Sequence, residues 1–297
     1  MSSRIRIVAG FDGSVDSWAA ARFAVVEAAV GGGLVRLVHS LLDRVAYATL
    51  LPPDLTADCE AEAIRLLDMA RAELLQASPG VDVQSTIVQR APGAALVRVS
   101  RSADLIVLGR HGHGRAPAGD GFQRVHIGTV ASHVMAYASC PVVVVGTVGE
   151  DALRRPVVLG LDAAAPSPTA ISYAFEAAQR RGTSIRVCYI SKPAGRTEDP
   201  HEDADARLQL SQALASWRAA FADVPVALDV LHGVDPAARL LDAAADASLV
   251  VVGARERAGE PRIGFGAVPE TLVRNAVCPV AVVRTQRQAI PRPAVVG

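Results

Sequence analysis

The chain is poor in several features, and each absence excludes a class of protein. Its 30 basic and 30 acidic residues leave no formal net charge, so we expect neither nucleic acid nor a membrane surface as partner. The four cysteines lack C-x-x-C spacing, which disfavours a metal site or a disulfide framework and favours a reducing, cytoplasmic location. No apolar run is long enough to cross a bilayer, and the first residues lead directly into a strand pattern rather than a signal peptide.

Aromatic residues and lysine are also scarce. Aromatics make up 4% of the chain, and Lys192 is its single lysine, so the first half has no site that depends on a lysine for phosphate binding. Hydrophobic residues nevertheless account for 51% of the 297 positions, enough to fill a sizeable core from Ala, Val, Leu and Ile. Such small aliphatic side chains suit helices packed on a parallel sheet, and the length predicts two domains.

The sequence contains an internal repeat. Residues 5–12 and 156–162 are both strand patterns that end at an aspartate, and residues 140–145 and 278–283 both follow Cys-Pro with an aliphatic run rich in valine. A repeat of about half the chain length indicates two tandem domains. We predict a first domain over residues 1–148, a linker over 149–155, a second domain over 156–285 and a flexible tail over 286–297.

Strand and helix patterns alternate within each repeat. The first repeat has five apolar strand patterns, with alanine-rich or amphipathic helix patterns between them. This alternation predicts a doubly wound, Rossmann-like α/β domain of five parallel strands flanked by helices, and we take the order 3-2-1-4-5 as a hypothesis. The order reverses between strands 1 and 4, and ligands of such folds bind beyond the carboxyl ends of the strands at that point.

Two loops are expected to meet at this crevice. Residues 11–13 follow strand 1, and the sequence Gly109-Arg110-His111-Gly112-His113-Gly114-Arg115 follows strand 4. Gly128-Thr129 then begins a predicted helix. Glycines let backbone N–H groups approach a phosphate, and a helix N-terminus adds aligned donors, so the sequence predicts an anion-binding cradle. A dinucleotide-binding domain would have its glycine motif after strand 1, which disfavours NAD and FAD.

Each repeat resembles a universal stress protein domain, over residues 4–147 and 155–284, and the chain resembles a tandem-domain member of that family. The family pattern is Gly, two residues, Gly, nine residues, then Gly and Ser or Thr, and ATP-binding members hold the triphosphate with it. The resemblance implies the Rossmann-like fold of the adenine nucleotide alpha hydrolase type. It also implies ATP with Mg²⁺ as ligand and a regulatory or sensing role in the stress response.

The resemblance further assigns roles to individual residues. Asp12 and Asp162 are expected near the ribose or a metal, the backbone of Val38 near adenine, and Gly10 and Gly160 beneath the nucleotide. The valine-rich fifth strands are expected to pair across the two halves, and a further two-fold could make a homodimer that acts on an unidentified regulatory partner. The phosphate-binding loops would consist of Gly109, Arg110, Gly112, His113, Gly114, Arg115, Gly128 and Thr129 in the first repeat, and of Gly253, Arg257 and Gly266 in the second.

Both repeats depart from the family pattern. In the first, fifteen residues separate Gly112 from Gly128, and residues 116–121 could be an insert that either bulges into solvent or displaces the phosphate contacts. In the second, the spacing is kept, but Glu256 replaces the second glycine and Ala267 replaces the hydroxyl residue. A carboxylate repels phosphates, so we expect weaker binding in the second repeat unless its loop arginines compensate.

Simpler explanations of the same residues stay open. Asp12 could cap the following helix, and the loop glycines could be turn residues only. The loop histidines lack the rigid spacing of metal ligands, so no metal site is predicted there. Cys140 and Cys278 have no assignable catalytic partner and are expected in the core.

Three functions are compatible with these observations. The first is an ATP-sensing regulatory protein that holds nucleotide mainly in its first domain. The second is a nucleotide-free interaction scaffold. The third is a slow ATPase or nucleotidyl transferase, for which the sequence offers no convincing general base and no pair of metal-binding carboxylates. We expect the first, which requires binding without dedicated catalysis.

Overall fold

The computed structural model describes residues 4–41, 53–113, 127–146, 154–162, 165–191, 200–254 and 265–284. The predicted insert at 116–121, the tail at 286–297 and most of the linker lie outside these ranges. So do three of the predicted site residues, Gly114, Arg115 and Arg257.

Eight helices and ten strands make up the described residues. None of these helices combines the length and the apolar character needed to span a membrane. The first half contains β1 (Arg6–Gly10), α1 (Val15–Gly31), β2 (Leu34–Ser40), α2 (Pro53–Ala77), β3 (Asp82–Val88), α3 (Pro92–Val99), β4 (Leu105–Gly109), α4 (Thr129–Tyr137) and β5 (Val142–Val145). The second half contains β6 (Val157–Leu161), α5 (Pro168–Arg181), β7 (Ile185–Ser191), α6 (Pro200–Ala220), β8 (Val226–His232), α7 (Pro236–Ala244), β9 (Leu249–Ala254), α8 (Ala267–Asn275) and β10 (Val280–Arg284).

All ten strands belong to one sheet, in the order β3-β2-β1-β4-β5-β10-β9-β6-β7-β8. Within each half the strands are parallel and have the order 3-2-1-4-5, which confirms the predicted topology. β5 and β10 pair antiparallel at the centre, with Val143 opposite Ala281. The two edges that would otherwise expose valine-rich strands therefore cover each other, as expected.

The sheet is buried on both faces, which explains why its inner strands are continuously apolar. One face packs against α1, α2, α5 and α6 through side chains such as Leu74 and Ile171. The other face packs against α3, α4, α7 and α8 through side chains such as Leu96 and Leu272. Cys140 and Cys278 lie in this second layer, where burial raises their thiol pKa values to about 12 and about 11. They are core residues, as predicted.

Helices α1 and α5 follow the first strand of each half and have similar ends. Each begins after a serine whose hydroxyl accepts a backbone N–H of the first turn, Ser14 and Ser167 respectively. Each ends at a glycine in the left-handed region, Gly32 at φ 64° and Gly182 at φ 60°, where a side chain would be strained. Helix α1 has 17 residues and α5 has 14, so α1 begins about one turn earlier relative to its glycine.

The two halves also meet through charged side chains between α1 and α5. Glu27 of α1 is 3% exposed, and its carboxylate contacts the guanidinium of Arg181, with Arg180 at 3.9 Å. The Arg181 guanidinium lies 5.7 Å from the ring centroid of Phe23. The acid comes from the first half and both bases from the second, an asymmetry that the internal repeat did not predict.

Candidate functional site

The two loops singled out in the sequence lie next to each other. β1 and β4 are adjacent parallel strands, with Val8 opposite Ile106, so their carboxyl ends open at the same edge of the sheet. The strand order reverses between them, because β2 lies beyond β1 and β5 beyond β4. Helix α4 begins beside the loop after β4, since the N–H of Gly128 donates to the carbonyl of Arg110 at 2.9 Å. The two loops and the start of α4 therefore lie together at one edge of the sheet.

Asp12, at the end of β1, joins the two loops. Its Oδ1 accepts the backbone N–H of Ser14 at 3.0 Å and the Ser14 hydroxyl at 2.5 Å, and its Oδ2 accepts the backbone N–H of His113 at 3.0 Å. Partial burial acts to raise the pKa of this carboxyl, but the hydrogen bonds from Ser14 and His113 outweigh it and lower the pKa. Asp12 is thus ionised at neutral pH. Ser14, rather than Asp12, caps α1.

A second carboxylate, Asp16, reaches the same loop. Its Oδ2 accepts the backbone N–H of His111 at 2.9 Å and lies 2.9 Å from the His111 Nδ1. Sequence reasoning missed Asp16, because an acidic residue in the first turn of a helix is ordinary and needs no ligand to explain it. Its position on the extra first turn of α1 brings it to the loop.

The glycines of the first loop make room for these contacts. A Cβ at Gly109 would lie 2.6 Å from the backbone carbonyl carbon of Asp16, so β4 and α1 can approach only without a side chain there. A Cβ at Gly112 would lie 2.6 Å from the Oδ2 of Asp12. Gly109 is therefore needed for the close packing of α1 on β4, whereas Gly112 leaves space for the carboxylate of Asp12.

Arg110 points away from the crevice. Its Nη2 donates to the carbonyl of Ala276 at 2.6 Å, at the carboxyl end of α8 in the second half. Burial of the side chain lowers the pKa of the guanidinium, and the nearby carboxylate of Asp16 opposes this shift. Arg110 therefore bridges the two halves in this structure, and its side chain does not face the place predicted for phosphates.

Gly10 lies in β1 and Gly160 in β6, the two positions expected beneath a nucleotide, and Val38, expected near adenine, lies in β2. A Cβ at Gly10 would lie 2.6 Å from Leu108, and one at Gly160 would lie 2.9 Å from Leu240. Val38 is 5% exposed, and its carbonyl accepts the N–H of Phe11 at 2.9 Å. These three positions are packed by the protein itself.

The corresponding region of the second half is described only in part. Asp162 follows β6 directly. Gly253 is the last residue but one of β9, and a Cβ at this position would lie 3.2 Å from the Cβ of Ser167. Gly266 has φ 102° and precedes the first residue of α8, as Gly128 precedes Thr129 at the start of α4. Across the described part of the chain, no three His, Cys, Asp or Glu side chains form a group that could hold a metal ion.

The fold defines a tandem, Rossmann-like α/β protein, and in its first half the loops after β1 and β4 meet where the strand order reverses. The chain belongs to the universal stress protein family, whose model, described as "Universal stress protein family", matches residues 4–146 and 154–284. Both repeats thus fall in the family that the sequence motifs indicated.

Relatives of similar length support this assignment. A universal stress protein of Mycolicibacterium smegmatis is 33% identical over 293 residues, covering 94% of this chain and 96% of the relative. A universal stress protein of Mycobacterium tuberculosis is 31% identical over 298 residues, covering 95% and 97%. The crystal structure of a universal stress protein from Archaeoglobus fulgidus matches with a TM-score of 0.71 at 16% identity, over 95% of this chain and 98% of that chain. At that identity, the likeness to the solved structure concerns the fold alone.

Proposed function

We propose that this universal stress protein binds an adenine nucleotide, ATP carried with Mg²⁺, mainly in its first half, and has a regulatory or sensing role in the stress response. One observation carries the proposal. Asp12, the loop of residues 109–113 and the start of α4 converge at the carboxyl ends of β1 and β4, where ligands of this fold class bind.

The start of α4 is the part of the crevice best suited to phosphate. Gly128, which precedes the helix, offers no side chain to cap it, and Thr129, the first helical residue, is exposed. The first N–H groups of a helix point outward and carry the positive end of its dipole, which favours an anion. The Thr129 hydroxyl can add a donor. The ionised Asp12 can accept a ribose hydroxyl, because its Oδ2 keeps a free lone pair beside the bond from His113.

The proposal does not include dedicated catalysis. Asp12 is a weak general base, because the hydrogen bonds from Ser14 and His113 lower its pKa, and the Oδ2 of Asp16 already faces the N–H and the ring of His111. With no metal-binding cluster among the described residues, Mg²⁺ would be held by the phosphates it accompanies.

Calorimetric titration of nucleotide-stripped protein with Mg²⁺-ATP tests the proposal. Thr129→Glu places a carboxylate at the first position of α4, where it suits the helix dipole but repels phosphate. Ala267→Glu is the matched control, because Ala267 is the exposed first residue of α8 after Gly266. We expect wild type and Ala267→Glu to bind and Thr129→Glu to lose binding. Loss in Ala267→Glu alone would move the site to the second half.

A nucleotide-free interaction scaffold is the second candidate function. It is favoured by the N–H groups of His111, His113 and Gly128, which are already satisfied within the protein and need no ligand. Absence of binding to wild type at millimolar Mg²⁺-ATP would support this alternative and overturn the first. For either function we propose a cytoplasmic homodimer that acts through a regulatory protein partner, and light scattering on the purified protein measures the oligomeric state.

A further inference from the structure

The loop after β4 is held by two carboxylates that occupy its anion-binding donors. The N–H of His111 donates to Asp16 and the N–H of His113 to Asp12, at 2.9 and 3.0 Å. A backbone N–H makes one strong hydrogen bond, so a phosphate oxygen can use either donor only by displacing the carboxylate. The side chain of Asp16 is 17% exposed, which limits the water available to replace it.

The charge around the loop disfavours further negative charge. Asp12 and Asp16 bring two carboxylates to the loop, the imidazoles of His111 and His113 face them, and the guanidinium of Arg110 is near enough to interact with the charge of Asp16. Arg110 is the only arginine of this loop among the described residues, and its guanidinium turns to the carbonyl of Ala276. Among the described residues, a phosphate at the N–H groups of His111 and His113 would therefore lie beside two carboxylates, while the hydrogen bond of Arg110 goes to Ala276.

Asp16 reaches the loop because of the length of α1. Measured from their glycine caps, α1 extends about one turn further back than α5, and Asp16 lies on that turn. Gly109 lets the turn pack directly on the end of β4, with no room for a Cβ between them. The carboxylate is thus held in place by backbone packing rather than by a flexible side chain alone.

We infer that Asp16 is the specificity-determining residue of this crevice: as a resident anion on the loop, it makes the site prefer an adenine nucleotide with few or metal-neutralised phosphate charges. The inference deepens the proposed function and rests on it. Adenosine and AMP bind without displacing the carboxylate, whereas the free anions of ADP and ATP must overcome it. Mg²⁺ offsets part of the ATP charge and restores binding.

Titration with adenosine, AMP, ADP and ATP, first in EDTA and then with Mg²⁺, tests the inference on wild type and Asp16→Asn. In EDTA we expect wild-type affinity to fall along the series, with metal-free ATP weakest. Asp16→Asn removes the charge and should strengthen ATP binding by about tenfold while changing adenosine little. Asp104→Asn is the matched control, since it removes a carboxylate at the opposite end of β4, where Asp104 pairs with Arg6 at 3.0 Å. It should leave the series unchanged.

Hydrogen exchange of residues 109–113 provides a readout that needs no nucleotide. Asp16→Asn, and Asp16→Ser if the first variant folds poorly, should speed exchange of the His111 amide relative to wild type. The inference would be overturned if Asp16→Asn left the exchange rate of the His111 amide or the four affinities unchanged, or weakened all four affinities equally. Each of these results would still be compatible with nucleotide binding. If wild type and Asp16→Asn bind none of the four ligands, with or without Mg²⁺, the proposed function itself fails.

Discussion

The two halves of the sheet have the same topology but differ at the residues that face each other and the crevice. In both halves the strands have the order 3-2-1-4-5. In both, a serine caps the start of the first helix and a left-handed glycine caps its end. The first half has Arg110 where the second has Ala254, at the end of the strand before each glycine loop. The comparison teaches that the alternation of apolar strands with capped helices specifies the same fold in both halves. A few polar side chains then give the two halves different contacts.

The two halves differ most in charge at the contact between α1 and α5. Glu27 lies on α1, and Arg180 and Arg181 lie in the last turn of α5. If the first halves of two chains packed together in this way, two copies of Glu27 would meet. If two second halves did so, copies of Arg180 and Arg181 would meet. The charges therefore favour the contact between unlike halves that the structure contains.

Glu27→Gln should have the largest effect on stability. It leaves Arg181, whose side chain is 5% exposed, without its counter-charge, and breaking a buried ion pair from one side costs about 3–5 kcal/mol. Urea unfolding measures the loss. The matched control is Glu73→Gln, which breaks the exposed pair with Arg22 and should cost no more than about 1 kcal/mol. Equal losses in the two variants would show that the buried contact does not hold the halves together.

Gly109→Ala and Gly253→Ala sharpen the comparison at equivalent strand ends. The new methyl group meets the backbone of Asp16 at 2.6 Å in the first half and the Cβ of Ser167 at 3.2 Å in the second. Because backbone yields less easily than a side chain, we expect Gly109→Ala to cost about 1–3 kcal/mol and Gly253→Ala less than about 1 kcal/mol. Thermal unfolding of both variants checks the difference. A larger cost for Gly253→Ala would reverse the assignment of the tighter packing.

Much of the fold was predictable because its determinants are local. Continuous valine runs predicted strands buried on both faces, and the glycines at residues 31–33 predicted the end of α1, which Gly32 caps. The handedness of parallel crossovers favoured a doubly wound sheet, whereas the strand order entered only as a hypothesis. The pairing of β5 with β10 was predicted from the family resemblance alone, because the sequence of neither strand indicates which strand it pairs with.

The site was predictable to the level of its elements but less so in its contacts. The meeting of Asp12 with the glycine loop followed from topology alone. The direction of Arg110 did not, because its acceptor, the carbonyl of Ala276, lies 166 residues away and depends on how the halves pack. Asp16 was missed for a related reason: its importance comes from the close approach of α1 to Gly109, which no local pattern reports.

The helix caps Ala91 and Asp235 differ between the halves, and this difference can be tested by removing one cap and adding the other. Each precedes a helix that begins with proline, but only Asp235 caps its helix, accepting the N–H groups of Ala237 and Ala238. We expect Asp235→Ala to cost about 1 kcal/mol and Ala91→Asp to gain about 0.5–1 kcal/mol. Denaturation midpoints measure both changes. Stabilisation by neither aspartate would indicate that proline alone defines these helix starts.

Asp12→Asn should have the smallest effect on stability, and that effect is a change in its pH dependence. The pKa of Asp12 is lowered in the folded protein from its ordinary value of 3.8, so its ionised form contributes stability above that value, and the contribution is lost as pH falls below it. The side chain is 39% exposed, and solvent screening limits the contribution to a few tenths of a kcal/mol. Unfolding measured between about pH 5 and pH 2 should therefore have a slightly shallower slope in Asp12→Asn than in wild type. Asp162→Asn, at the matching strand end of the second half, is the control. An equal flattening in both variants would assign the effect to loss of any carboxylate, and an unchanged slope in Asp12→Asn would show that the bonds from Ser14 and His113 do not stabilise the ionised form.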